Sequence, residues 1–162
     1  MERVSKENYY LDIAQTVAER GTCLRRLFGA IIVKNDSIIS TGYNGAPRGR
    51  KNCSDLGICR REQLNIPRGQ RYELCRSVHA EANAIIAASR ENMIGATLYM
   101  TCIDPFTKQP MPGTTSCAMC KRQVINAGIE KVIVRETADT FTVYQVSDWI
   151  EKDDSLTDQL GY

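Results

Sequence analysis

The sequence predicts an α/β fold, a three-layer α-β-α sandwich around a central mixed sheet. Two apolar runs, 29–33 and 37–42, flank a short polar turn, which is typical of an antiparallel hairpin. Two later strand-like runs, 96–101 and 131–135, lie on either side of a helix-like stretch at 117–127. A strand–helix–strand order favours a parallel pair, so hairpin and crossover together predict a mixed sheet.

Helical patterns supply the outer layers of this sandwich. Apolar positions recur at helical spacing over 6–20, and 79–91 is rich in alanine. A last helix is predicted over 143–150. Two stretches show no clear periodicity: 44–76, which holds glycine, arginine and three cysteines, and the proline-rich loop 104–115. We call the segment 44–76 the irregular excursion. So long an irregular segment inside a compact domain is usually functional or pinned by a metal.

Composition indicates one globular domain, residues 1–150, followed by a polar tail, 151–162. No apolar run has the length of a membrane span, and the first residues are polar, so we expect a cytoplasmic protein without a membrane partner. The seven cysteines are an odd number and follow no secretory signal, which argues against a disulfide framework and favours metal binding.

Charge is unevenly distributed, although the net charge is only +2. Residues 48–76 carry eight Lys or Arg against three Asp or Glu. Such a segment on a nearly neutral chain suggests a small anionic ligand such as a nucleotide phosphate, and not a nucleic acid. A solvated surface loop is the alternative, and metal-bound thiolates inside the segment would cancel part of its charge.

The most informative motif joins His79, the only histidine, and Glu81 with the pair Cys117 and Cys120. Three nitrogen and sulfur ligands leave the fourth tetrahedral position of Zn²⁺ to water, as in catalytic zinc sites. A Cys-x-x-Cys pair alone would also suit a redox motif or half of a structural zinc site. The combination H-x-E followed by C-x-x-C is the signature of zinc nucleobase deaminases and predicts a catalytic zinc.

Glu81 is the predicted proton shuttle of this site. Two residues along a helix correspond to a rotation of about 200°, so His79 and Glu81 would point apart in mid-helix. The pair can serve one site only if His79 lies at or before the first turn, and Ser77 is a candidate cap there. Both ligand clusters are expected at helix N-termini, where the helix dipole favours thiolate and hydroxide.

Several segments resemble the deoxycytidylate (dCMP) deaminase family of the cytidine deaminase-like superfamily, over about residues 8–136. The similar segments are His79–Ile85, Cys117–Cys120 with 127–129, the hairpin start 29–32 and the loop 42–47. The resemblance implies a five-stranded sheet, a zinc-dependent hydrolysis of dCMP to dUMP, and homo-oligomers, often hexamers. It also implies that dCTP with Mg²⁺ frequently activates and that dTTP inhibits.

The resemblance assigns substrate contacts as well. Asn44 matches an asparagine that contacts the bound nucleotide, although Asn44-Gly45 is also an ordinary turn dipeptide. Arg90 matches a position that in some relatives reaches the substrate phosphate of a neighbouring subunit, and Arg26 is a further phosphate candidate. Two departures stand out. Ser116 replaces the proline usual before the first metal cysteine and is expected to cap the following helix, and the loop 104–115 is longer than usual.

A second, structural zinc is predicted from cysteines in and around the irregular excursion, since several relatives carry one at similar places. Four thiolates would close a tetrahedral site and pin a loop that has little apolar content. The candidates are Cys23, Cys53, Cys59 and Cys75. The alternative is that some of them are buried free thiols, and Cys102 is expected in the core.

Two rival functions remain beside a dCMP deaminase. One is another deaminase of the superfamily, acting on tRNA adenosine or on another cytosine nucleotide; the acidic C-terminal tail argues against RNA. The other is a non-catalytic zinc module, which would need no proton shuttle at Glu81. Enzymes acting on free cytidine usually have cysteine where His79 stands.

Overall fold

The computed structural model describes residues 1–157 and contains one mixed five-stranded sheet. The strands are β1 (Leu27–Lys34), β2 (Ser37–Tyr43), β3 (Thr97–Ile103), β4 (Lys131–Arg135) and β5 (Phe141–Gln145), in the spatial order β2-β1-β3-β4-β5. The helices are α1 (Lys6–Ala18), α2 (Cys53–Leu56), α3 (Arg60–Gln63), α4 (Ala80–Ile86), α5 (Arg90–Met93), α6 (Ala118–Ala127) and α7 (Val146–Glu151).

Strand pairing confirms the predicted mixed sheet. β1 pairs antiparallel with both β2 and β3, and β4 pairs antiparallel with β5. Only β3 and β4 run parallel among the strands described, because α6 connects them as a crossover.

Alternating side chains divide the core into two layers, as the period of two in a strand requires. Ile31, Val33, Tyr99 and Ile133 face α1. The neighbouring positions of the same strands face α4, α6 and α7, and they are Ala30, Ile32, Leu98, Met100, Val132 and Val134. Helices therefore cover both faces of the sheet, which confirms the three-layer sandwich.

Gly42 allows α4 to lie unusually close to β2. A Cβ atom at this position would lie 2.4 Å from both the carbonyl oxygen of Ala80 and the nitrogen of Ala84. No side chain can occupy that space, so glycine sets the distance between strand and helix. Since His79 directly precedes α4, this contact also places the histidine relative to the sheet.

Two predicted helices differ from the structure. The segment predicted as helix over 143–150 begins as strand β5, and α7 starts only at Val146. Phe141–Gln145 is rich in β-branched and aromatic residues and finds a partner in β4, so pairing outweighs the helical pattern. The helix predicted over 79–91 is interrupted, because the Ser89 hydroxyl accepts a hydrogen bond from the Asn92 backbone and starts α5.

The irregular excursion is folded back onto the sheet by polar contacts. Gly45 and Val78 form an isolated antiparallel bridge, which brings its two ends together. Thr22 donates its hydroxyl hydrogen to Asn52 at 3.0 Å. The ends of this segment therefore lie beside the start of α4.

Within residues 1–157, no helix has the length and apolar character needed to cross a membrane.

Candidate active site

Three predicted ligands meet in one cluster, in which both cysteines are buried and the histidine is half-buried. His79 Nδ1 lies 3.4 Å from Cys117 Sγ and 3.3 Å from Cys120 Sγ, although 38 residues separate His79 from Cys117. For tetrahedral zinc with ordinary bond lengths, nitrogen and sulfur ligands lie about 3.5 Å apart. Among residues 1–157, this is the one group of three or more potential ligands whose atoms lie within 4.8 Å of one another. The geometry and the chemistry of the donors therefore fit Zn²⁺.

Each ligand cluster lies at the start of a helix. His79 is the N-cap residue of α4, and Cys117 is the N-cap residue of α6, both with extended backbone. The requirement that His79 precede the first turn is therefore met. Capping by Ser77 and Ser116 was a wrong prediction, because the residue with N-cap geometry is in each case the metal ligand itself.

The electrostatics of the cluster favour a thiolate beside a protonated imidazole. The hydrogen bond from the Cys120 thiol lowers the pKa of Cys117 to about 4, and the same bond raises the pKa of Cys120. Burial opposes protonation of His79, but hydrogen bonds to Cys117 and Cys75 outweigh it and raise the His79 pKa to about 10. A zinc ion held by these three side chains would replace their protons, since zinc ligands must be deprotonated.

Glu81 lies in the first turn of α4 and is only 4% exposed. Burial raises the pKa of its carboxyl group, which makes it easier for the side chain to hold a proton. Glu81 and His79 line the same cavity. A buried carboxyl group therefore lines the same cavity as His79 and Cys117, and its role as the proton shuttle stays a prediction.

The cavity above the cluster is strongly basic. Four arginines line it together with His79 and Glu81, namely Arg25, Arg26, Arg61 and Arg68. Arg61 and Arg68 belong to the basic segment 48–76. An anionic ligand is therefore favoured in the cavity, as the uneven charge of the sequence suggested.

A model of the cytidine and deoxycytidylate deaminase zinc-binding region matches residues 4–136. The chain belongs to this family. The chain is 38% identical over 137 residues to the deoxycytidylate deaminase of Mycobacterium phage D29. The match covers 82% of this chain and 96% of the phage protein. The deoxycytidylate deaminase of Schizosaccharomyces pombe is 32% identical over 81% of this chain, which spans only 37% of the yeast protein.

A solved structure agrees with this membership. The dCMP deaminase of cyanophage S-TIM5, in complex with dCMP and dUMP, superimposes with a TM-score of 0.59 at 25% sequence identity. The match covers 93% of this chain and 91% of the phage chain. The α/β architecture of the family therefore extends over nearly the whole length of this member.

The predicted substrate residues of this deaminase family member lie in two places. Asn44 and Arg26 line the basic cavity. The Asn44 side chain accepts a hydrogen bond from the Phe28 backbone and donates one to the Arg26 carbonyl, both at 2.9 Å, so it also holds β1 and β2 together at this end. Arg90 lies outside the cavity and donates to the Asn126 carbonyl at 2.8 Å. Its predicted contact with a neighbouring subunit's substrate stays a prediction.

Of the four remaining candidate ligands, Cys23, Cys59 and Cys75 line the cavity, and Cys53 is buried. Burial raises the pKa of Cys53, and the charges of Cys23, Cys75 and Cys59 raise it further. Backbone N–H groups point at two of the sulfurs, since Arg25 donates to Cys23 and Ser77 donates to Cys75, both at 3.4 Å. Cys102 is fully buried in the core, as predicted.

Residues that the sequence analysis did not single out complete the cavity. The long loop after β3 ends at Thr115, which lines the cavity. Phe28 and Tyr72 also contribute walls. Tyr72 lies in a short 3-10 helix of the excursion, where no periodicity marks it as a site residue.

Proposed function

We propose that this chain catalyses the hydrolytic deamination of dCMP to dUMP and ammonia. The observation that carries the proposal is the cluster of His79, Cys117 and Cys120 with the buried Glu81 beside it. Membership of the deaminase family and the likeness to proteins named deoxycytidylate deaminase support the choice of substrate. A purely structural zinc site would not need a buried carboxyl group at this place.

The side chains account for each proton in the reaction. Zinc held by His79, Cys117 and Cys120 would act as a Lewis acid that lowers the pKa of a water molecule to about 7. Glu81 accepts the proton of the attacking water and delivers it to the ring nitrogen beside the amino-bearing carbon. The water oxygen bonds to that carbon, and Glu81 then takes the second proton from the new hydroxyl group and passes it to the amino group. The carbon–nitrogen bond breaks, which releases ammonia and leaves the carbonyl of dUMP. The reaction is a hydrolysis and needs no oxidant or reductant.

The basic cavity supports a nucleotide over a free nucleoside. Arg26 is our candidate for the phosphate, and Asn44 is our candidate for contact with the sugar or base. Both line the same cavity as Glu81. A guanidinium group forms bidentate hydrogen bonds with phosphate, which would help to exclude uncharged cytidine. Arg90 would serve the substrate of a neighbouring subunit if the chain forms an oligomer, for which we favour a hexamer.

A panel of substrates tests this proposal. We expect ammonia release from dCMP and much slower release from dCTP, cytidine and adenosine-containing tRNA. Each substrate is incubated with and without dCTP plus Mg²⁺, and with and without dTTP, because regulation by these effectors is part of the proposal. Absence of release from dCMP under every condition would overturn it, and release from tRNA alone would favour the rival adenosine deaminase.

We further propose a structural zinc at Cys23, Cys53, Cys59 and Cys75. The shared cavity lining of Cys23, Cys59 and Cys75 and the backbone N–H groups directed at Cys23 and Cys75 support it. Such donors stabilise thiolates, which are the form that binds zinc. The sulfurs must move closer together to share one ion, since they do not form a group within 4.8 Å among residues 1–157. We propose a cytoplasmic location, where these thiols stay reduced.

Metal analysis distinguishes the two zinc sites. We expect two zinc ions per wild-type chain and one per chain in Cys53→Ala, with the unfolding temperature lowered because the excursion loses its cross-link. Cys102→Ala is the matched control, since it removes a buried thiol that belongs to neither proposed zinc site. One zinc per wild-type chain, unchanged in Cys53→Ala and in Cys75→Ala, would remove the second site.

A further inference from the structure

Arg61, Tyr72 and His79 form a stack that leads from the excursion to the metal ligands. The guanidinium carbon of Arg61 lies 4.3 Å from the centre of the Tyr72 ring. The Tyr72 ring in turn packs edge-on against the His79 ring, with centroids 5.1 Å apart and planes at 79°. Both distances are in the range of favourable cation–π and aromatic contacts. Tyr72 therefore contacts the His79 imidazole without being one of the candidate metal ligands.

Arg61 is anchored more firmly than an ordinary surface arginine. Only 4% of it is exposed, and its Nη2 donates to the carbonyl oxygens of Pro67 and Gln70 at 2.6 and 2.7 Å. These carbonyls belong to the turn that precedes Tyr72. Arg61 therefore holds the backbone that carries Tyr72 and also covers the face of its ring. A lysine could not do both, because it lacks the planar fork of guanidinium.

We propose that Arg61 and Tyr72 are positioning residues that hold the His79 imidazole with Nδ1 directed at the metal. Nδ1 of His79 makes the contacts with both Cys117 and Cys120, and Cys75 is a further hydrogen-bond partner of the ring. The Tyr72 ring adds a packing contact that restricts rotation of the imidazole. Residues that orient a metal ligand typically contribute 10- to 100-fold to metal affinity. The proposal rests on the zinc site proposed above, but not on the identity of the substrate.

The test measures zinc release and the orientation of the histidine. In Tyr72→Leu, we expect zinc to pass to a chelator at least tenfold faster than in the wild type. Tyr72→Phe keeps the ring and should release zinc at nearly the wild-type rate. Because His79 is the only histidine, ¹⁵N-histidine labelling yields a single imidazole to follow by NMR. Its resonances in the zinc-loaded protein should shift and broaden in Tyr72→Leu and not in Tyr72→Phe.

Arginine variants test the second member of the stack. Arg61→Leu should accelerate zinc release as Tyr72→Leu does, whereas Arg60→Leu, a change at the exposed neighbour on α3, should have no effect. Circular dichroism identifies any variant that fails to fold, and Arg61→Lys then replaces Arg61→Leu, with the same faster release expected. Wild-type zinc release and imidazole resonances in a folded Tyr72→Leu protein would overturn the proposal.

Failure of the proposed function is distinguishable from failure of this inference. A wild-type chain that binds zinc tightly but does not deaminate dCMP would contradict the substrate assignment. The stack would still be supported if zinc release and the imidazole signal changed in the variants as described. Conversely, normal turnover of dCMP with no effect of Tyr72→Leu on zinc release would contradict the stack alone.

Discussion

Glu81→Gln is expected to lower the turnover of dCMP by about 10²- to 10⁴-fold while the protein keeps its catalytic zinc. Glutamine has nearly the same shape as glutamate but cannot accept and return a proton. The carboxyl group is buried, so no nearby bulk water can readily take over its role. Ammonia release from dCMP, together with metal analysis of the same sample, measures both halves of the prediction.

The matched control for this change is Glu91→Gln. Glu91 is an exposed residue of α5 and should tolerate the substitution with unchanged turnover. Turnover of Glu81→Gln within a fewfold of the wild type would refute the assigned role of Glu81 as the proton shuttle. Loss of zinc in Glu81→Gln would instead show that the residue supports the metal.

Cys117→Ala should weaken zinc binding at the catalytic site by more than about 100-fold, since even residues that only support metal ligands contribute 10- to 100-fold. The remaining His79 and Cys120 supply only two of the three protein ligands, and turnover should fall with zinc occupancy. Chelator competition measures the affinity, and ammonia release at saturating zinc measures the residual activity.

Cys102→Ala again provides the comparison, because it removes a fully buried thiol that is not part of the cluster. This variant should retain its zinc and lose only some stability through the cavity left behind. If Cys117→Ala bound zinc as tightly as Cys102→Ala, the cluster of His79, Cys117 and Cys120 would not be the zinc site.

The predicted catalytic residues follow from short-range sequence patterns. His79 and Glu81 are close in the chain, and the spacing of Cys117 and Cys120 places both at the start of one helix. The further deduction that His79 must precede its helix came from helical geometry alone and is confirmed. Local spacing and the preferences of zinc were sufficient to predict the cluster of His79, Cys117 and Cys120, because each half of it comes from residues close together in the chain.

Predictions failed where long-range contacts compete with local preferences. The helical pattern over 143–150 does not reveal that β4 offers a free edge, with which Phe141–Gln145 pairs as β5. Likewise, serine is a favourable capping residue, yet Ser116 is buried and the cap position belongs to Cys117. In both cases the competing partner is distant or depends on the packing of another segment.

The sequence by itself determined the chemical groups of this deaminase family member: one imidazole, two paired thiols and a carboxyl group with the spacing of a zinc site. The tertiary structure alone decided which other groups surround them. It brings His79 within 3.4 Å of Cys117, collects arginines around the cavity and stacks Tyr72 against the imidazole. Ligand chemistry is a property of individual side chains, whereas their convergence depends on how sheet, helices and excursion pack together.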